Sequence, residues 1–223
     1  MDYSKLKKLI LNLIITVIGL FVFSAGVHFT IYANFGLAPW DCLSSAVSQK
    51  LSVSFGTIHV TVSIIIVIID ILLKEKIGFG TLLDAVLVGV YIDFLDIVSP
   101  LEVVEGNIIK SVIYIIIGIF IMAFGQAIYM KAALGCGPRD ALTVGVGKRF
   151  PKTPIGLVQG TILALVLLVG FLLGGPVGIG TVITTFGIGV AVQIVFNILR
   201  FEPRSIKHKN LYESLIELKK ETP

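Results

Sequence analysis

The chain has 223 residues, of which 56% are hydrophobic and 14% charged, and its mean hydropathy is +0.99. That is too apolar for a soluble domain of this length. The formal net charge of +4 follows from membrane orientation and calls for no nucleic acid.

Taken in order, residues 1–8 are a short basic leader, followed by an apolar run over about 8–33. Further apolar runs cover about 54–73, 78–98, 108–131, 154–174 and 178–199. A hydrocarbon core of about 30 Å needs roughly 20 helical residues, so each run is a candidate crossing. The runs are too long and too continuous for the alternating strands of a membrane barrel. The first span places Ser24, His28 and Tyr32 on one helical face, either as a stripe satisfied by neighbouring helices or as part of a cavity lining.

Two short motifs follow long apolar runs: Gly36-Leu37-Ala38-Pro39-Trp40-Asp41 and Gly135-Cys136-Gly137-Pro138-Arg139-Asp140. They lie 99 residues apart, and the offset also matches Gly19 with Gly118, Gly26 with Gly125 and Ala33 with Ala132. Downstream the offset is 100, matching Gly56 with Gly156, Gly80-Thr81 with Gly180-Thr181 and Gly89 with Gly189. One single-residue slip over such a length is the mark of an internal duplication. Three crossings per copy make the second copy enter the membrane the other way up.

Lysine and arginine test this independently. Lys5, Lys7, Lys8, Lys74, Lys76, Lys131, Lys148, Arg149, Lys152, Arg200, Arg204, Lys207 and Lys209 fall on one side, and only Lys50 and Lys110 on the other. The positive-inside bias puts both termini in the cytoplasm.

Pro39 and Pro138 suit the first turn of a helix, and Asp41 and Asp140 complement its positive end. Residues 39–50 and 138–149 therefore read as half-helices, too short to cross. They either lie flat at the membrane surfaces or dip inward to face one another, and the duplicated aspartates favour the dip. Gly36, Gly135 and Gly137 permit a tight approach before each break.

The second span carries His59, matched by Gln159, and ends at Asp70, expected to pair with Lys74 one turn on. The third holds Asp84, expected to serve packing, and Asp93, matched by Gln193, which is open between an ion site and a packing partner. Residues 99–107 link the copies, and 200–223 form an amphipathic cytoplasmic tail with Leu211, Leu215 and Leu218 at helical spacing. Cys42 and Cys136 occupy unmatched positions and read as small core residues.

No nucleophile–base pair, zinc spacing, Walker loop or dinucleotide fingerprint is present, so no enzyme activity, metal or cofactor is expected. Inverted repeats with interrupted helices form sites where half-helix ends meet.

The paired motifs resemble those of the YitT/YczE/YyaS group of bacterial integral membrane proteins. Ser54-Phe55-Gly56-Thr57, Gly78-Phe79-Gly80-Thr81 and Val88-Gly89-Val90-Tyr91-Ile92-Asp93 strengthen the likeness, which covers nearly all of 8–199. It is nearest to the YczE-like branch, with Ala38 where that branch has glycine. The resemblance implies a multi-pass protein of the bacterial cytoplasmic membrane and leaves its activity open.

The expectation is an all-α membrane protein of six transmembrane helices in two inverted three-helix repeats, 9–98 and 108–199, each with a half-helix after its first span. A secondary transporter of a small solute or ion is expected, with a membrane scaffold or a channel as alternatives. Candidate binding residues are Gly36, Pro39, Trp40, Asp41, Gly135, Gly137, Pro138, Arg139 and Asp140, with His59, Gln159, Asp93 and Gln193 behind them. The bilayer is the expected surrounding, and the glycine-rich sixth span is suited to a homodimer.

Overall fold

The structure, a computed structural model, describes residues 3–99, 101–201, 210, 211, 213 and 216. Among the described residues there are eight helices and no strand: α1 (Tyr3–Tyr32), α2 (Pro39–Leu51), α3 (Phe55–Leu72), α4 (Phe79–Val98), α5 (Ile108–Lys131), α6 (Pro138–Arg149), α7 (Ile155–Leu172) and α8 (Ile179–Ile198).

Their ends follow local chemistry. Pro39 and Pro138 open α2 and α6 at the first turn, each after a small residue in extended conformation, Ala38 or Gly137. Ser54 caps α3 by accepting from the Thr57 backbone N–H, and Asn107 caps α5 by accepting from Lys110. At the starts of α4 and α8 the Thr81 and Thr181 hydroxyls accept from Gly78 and Gly178 N–H.

Five helices are long and apolar enough to cross a membrane: α1, α3, α5, α7 and α8. The 20-residue α4 matches them in length but carries Asp84, Asp93 and Asp96. Those charges set it apart, and each has a use described below. Large apolar side chains cover the outer faces, among them Ile65 and Ile68 on α3, Phe94 on α4, Leu168 and Phe171 on α7, and Phe186 and Val190 on α8. An apolar exterior of this extent suits lipid, not water.

The centre is the crossing of α1 and α5. Gly19 lies against the Gly125 carbonyl and the Tyr129 backbone, and Gly26 against the Gly118 carbonyl and Met122. Under the sequence repeat Gly19 maps to Gly118 and Gly26 to Gly125, so one contact is the image of the other. Glycines here bring the backbones together, and any side chain would force them apart. Leu20 and Val27 of α1 pack with Val88 and Ile92 of α4, while Ile119 and Ala123 of α5 pack with Ala191 and Val195 of α8.

Each motif docks on the other half of the chain. Gly180 N–H donates to the Phe35 carbonyl at 2.7 Å, and Leu37 N–H to Pro176 at 3.0 Å. In the matching place Gly80 N–H donates to Leu134 at 2.8 Å, and the Thr81 hydroxyl to Cys136 at 2.7 Å. Helix α2 packs on α7 and α6 on α3, so the half-helices lie along helices of the opposite copy.

One expectation is corrected. Asp70 does not pair with Lys74: α3 ends at Leu72, Lys74 takes a left-handed turn (φ 58°), and the one-turn relation is lost. Asp70 is fully buried, and neither carboxylate oxygen has a hydrogen-bond partner among the described residues. In the linker, Val104 is buried and its N–H donates to the Tyr32 carbonyl. Of the amphipathic tail, Leu211 N–H reaches the Ile77 carbonyl and Glu213 pairs with Lys76, while Leu215 and Leu218 lie outside the described residues.

Candidate functional site

The first turns of α2 and α6 meet. Arg139 Nη1 lies 3.7 Å from Asp41 Oδ1, and its guanidinium stands over the Trp40 ring at 5.4 Å. His59 completes the cluster, 3.3 Å from Arg139 Nη2 through Nε2 and 3.9 Å from Asp41 through Nδ1. Asp41 and His59 are buried. Trp40 and Arg139 thus differ between the motifs because one supplies a face and the other the cation upon it. The single guanidinium serves a buried carboxylate, an imidazole and an indole at once.

Gly36 and Gly135 make the approach possible. Both have positive φ (105° and 133°), and a Cβ on Gly36 would lie 2.5 Å from Gly178 N, and one on Gly135 2.7 Å from Thr81 Oγ1. Only glycine fits both the conformation and the space. Gly137 faces Asp84, whose carboxylate would stand 3.3 Å from a Cβ there.

Beside the cluster is a cavity of about 300 Å³, lined by His59, Gly137, Pro138, Arg139, Asp140 and Gln159 among the residues expected from sequence. Its other walls come from Phe23, Asp84, Met122, Gln126 and Tyr129. Asp84 and Asp140 make no hydrogen bond or salt bridge with any described residue. Three carboxylates, Asp41, Asp84 and Asp140, therefore surround one arginine.

A second cavity, of about 490 Å³, separates α7 from α8 and is mainly apolar, with Leu163, Ala164, Leu167, Val182 and Phe186 in its walls. Pro39 lines it, and Gln159, Ile188 and Gly189 belong to both cavities. The corresponding seam between α3 and α4 is closed: a Cβ on Gly56 would fall 2.1 Å from the Gly89 carbonyl. Asp93 fastens it, accepting from the Ser54 hydroxyl at 2.5 Å and from Gly56 N–H at 2.8 Å. In the second copy Pro154 stands for Ser54 and Gln193 for Asp93, and Gln193 instead donates to Asn197 on its own helix. Asp93 and Gln193 lie outside both cavities.

Asp84 and Tyr129 enter the site although the sequence pointed elsewhere. Asp84 has only Thr184 as its match, and its place follows from the docking of the second motif on α4. Asp96, which no motif marks, receives the Tyr32 hydroxyl at 3.2 Å and lies 2.9 Å from His28 Nε2. Within the Ser24–His28–Tyr32 stripe, His28 and Tyr32 thus face Asp96 of α4, and Ser24 donates to Leu20 within α1.

The chain has relatives among known proteins. An uncharacterised protein of Haemophilus influenzae is 32% identical over 185 residues, covering 83% of each chain. The uncharacterised membrane protein YczE of Bacillus subtilis is 30% identical over 196 residues, 86% of each chain. The uncharacterised protein YyaS of the same organism is 28% identical over 184 residues, 82% of this chain and 90% of its own. No solved structure matches. The family of unknown function DUF6198 matches residues 10–197, with both motifs inside the match, and the chain belongs to this YczE/YyaS-type family of membrane proteins.

Proposed function

We propose that this protein is a secondary transporter of a small solute, with six crossings in two inverted repeats, both termini in the cytoplasm, and its site where α2 and α6 meet. The observation that carries this is the inequality of two matched seams. Gly56 and Gly89 touch, whereas a Cβ on Gly156 or Gly189 would meet nothing within 4 Å. A duplicated sequence whose halves hold different conformations around one shared cavity is what alternating access requires. In the proposed orientation the open α7–α8 seam faces the cytoplasm and the closed α3–α4 seam faces outward. Exchange of the two conformations would carry a bound solute across. Half-helix backbone at membrane depth is tolerated here because it is buried in protein and lines a cavity.

The test uses single cysteines in a chain freed of Cys42 and Cys136. Gly160→Cys stands in the open seam and Val60→Cys, its match, in the closed one. A membrane-impermeant maleimide should label Gly160→Cys from the cytoplasmic face of inside-out vesicles. It should label Val60→Cys, more slowly, from outside intact cells. A scaffold would leave Val60→Cys inert, and a channel would let reagent from one side reach both positions at once.

A further inference from the structure

We infer that the transported solute is an amphipathic organic cation, with its charged head held between Asp84 and Asp140 and its apolar tail lodged between α7 and α8. The inference rests on the transporter reading and names the solute class for that site.

Three observations converge. The first is charge. Arg139 already faces Asp41, His59 and Trp40, while Asp84 and Asp140 in the same cavity make no hydrogen bond or salt bridge with any described residue. Three carboxylates thus face one guanidinium that is already held by Asp41, and the excess of negative charge at the cavity calls for a further cation. An anionic solute would have to sit against both of them.

The second is continuity. The charged cavity of about 300 Å³ and the apolar one of about 490 Å³ share Gln159, Ile188 and Gly189. Together they have the size and the character of a drug-sized ligand site, mostly apolar with a few convergent polar groups. A wholly polar solute would leave the larger part lined by hydrocarbon and filled with nothing it could bond.

The third is access. Gly156, Gly160 and Gly189 project no side chain into the gap between α7 and α8, and added Cβ atoms would meet open space. A tail can therefore lie along the seam from the head site outward.

The experiment uses the full chain in nanodiscs and three probes: hexyltrimethylammonium, tetramethylammonium and hexanoate. Calorimetry should show hexyltrimethylammonium binding on the order of tenfold to a hundredfold more tightly than tetramethylammonium, because the tail is buried. Hexanoate should not compete. Asp84→Asn with Asp140→Asn should abolish the preference for the cation, and this variant keeps the Arg139–Asp41 contact and should fold. Ala164→Trp, which fills the apolar gap, should cancel the advantage of the tail and leave tetramethylammonium binding unchanged. Equal binding of hexanoate, equal binding of the two ammonium ions, or undiminished cation binding by the double variant would overturn the inference. Maleimide labelling at both seams without ammonium binding would discard the cation and keep the transporter. Ammonium binding with an inert Val60→Cys would discard the transporter, and with it the claim that the cation is carried.

Discussion

Gly56 and Gly89 stand backbone against backbone, so close that a single methyl on Gly56 would lie 2.1 Å from the Gly89 carbonyl. Their matches, Gly156 and Gly189, face open space. Substitution therefore separates the seams. Gly56→Ala or Gly89→Ala overpacks a helix crossing and should cost about 1–3 kcal/mol. Gly156→Ala and Gly189→Ala meet no neighbour and should be neutral or slightly stabilising, by up to about 0.5–1 kcal/mol from helix preference. Thermal unfolding of the four purified variants in detergent decides the matter, and equal losses at both seams would contradict the asymmetry.

Asp93 holds the closed seam by an N-terminal contact to α3, through Gly56 N–H and the Ser54 hydroxyl. Hydrogen bonds to a charged acceptor are worth roughly 1.5–3 kcal/mol. Asp93→Asn keeps the shape and weakens the acceptor, so it should shift the resting population toward an open α3–α4 seam. The expected outcome is faster external labelling of Val60→Cys, by on the order of tenfold for each 1.4 kcal/mol lost. Gln193→Ala, which breaks only a contact within α8 to Asn197, should leave that rate unchanged.

Much of this arrangement was written locally. Pro39 and Pro138 mark the starts of α2 and α6, since a proline is accommodated there and not in a helix interior. The paired glycines at a fixed offset mark an internal duplication in the sequence, and Gly19, Gly26, Gly118 and Gly125 lie together where α1 crosses α5. What the sequence could not carry is which half each motif rests upon. Asp84 became a cavity wall because Gly137 docks on α4, and Asp96 became a partner of Tyr32 across 64 positions. Asp70 departs from its expected pairing for a different reason: one-turn pairing holds only inside a helix, and α3 stops two residues before Lys74. Pairings that depend on tertiary docking leave no trace in periodicity or spacing.

Gly36 and Gly135 combine a backbone that side chains resist with a site that has no room. Gly36→Ala places a Cβ 2.5 Å from Gly178 N at φ 105°. The two penalties should together exceed about 3 kcal/mol. Gly106 has φ 63° but nothing within 4 Å, so Gly106→Ala should lose only about 1 kcal/mol for its conformation. Expression level and unfolding midpoint should therefore rank Gly106→Ala well above Gly36→Ala and Gly135→Ala. A tolerated Gly36→Ala would show that the first motif does not dock on α8.

Arg139 and Asp41 join the two half-helices, and only one of them is deeply buried: the Asp41 side chain is 4% exposed and that of Arg139 26%. Removing the arginine strands a buried carboxylate. Breaking a fully buried pair costs about 3–5 kcal/mol, but at 3.7 Å, with a partly solvated arginine, about 2 kcal/mol is expected. Arg139→Gln should lower the unfolding midpoint, and Asp41→Asn should lower it less, because the guanidinium left behind still reaches solvent, His59 and the Trp40 face. Asp41→Asn with Arg139→Gln together should recover part of the loss, since Asp41 is then no longer a charge without its partner, while Asp84 and Asp140 still lack the cation they face. A double-mutant cycle on unfolding midpoints measures the coupling. Strict additivity would mean that Asp41 and Arg139 stabilise their helices separately, and that the half-helix ends meet without holding one another.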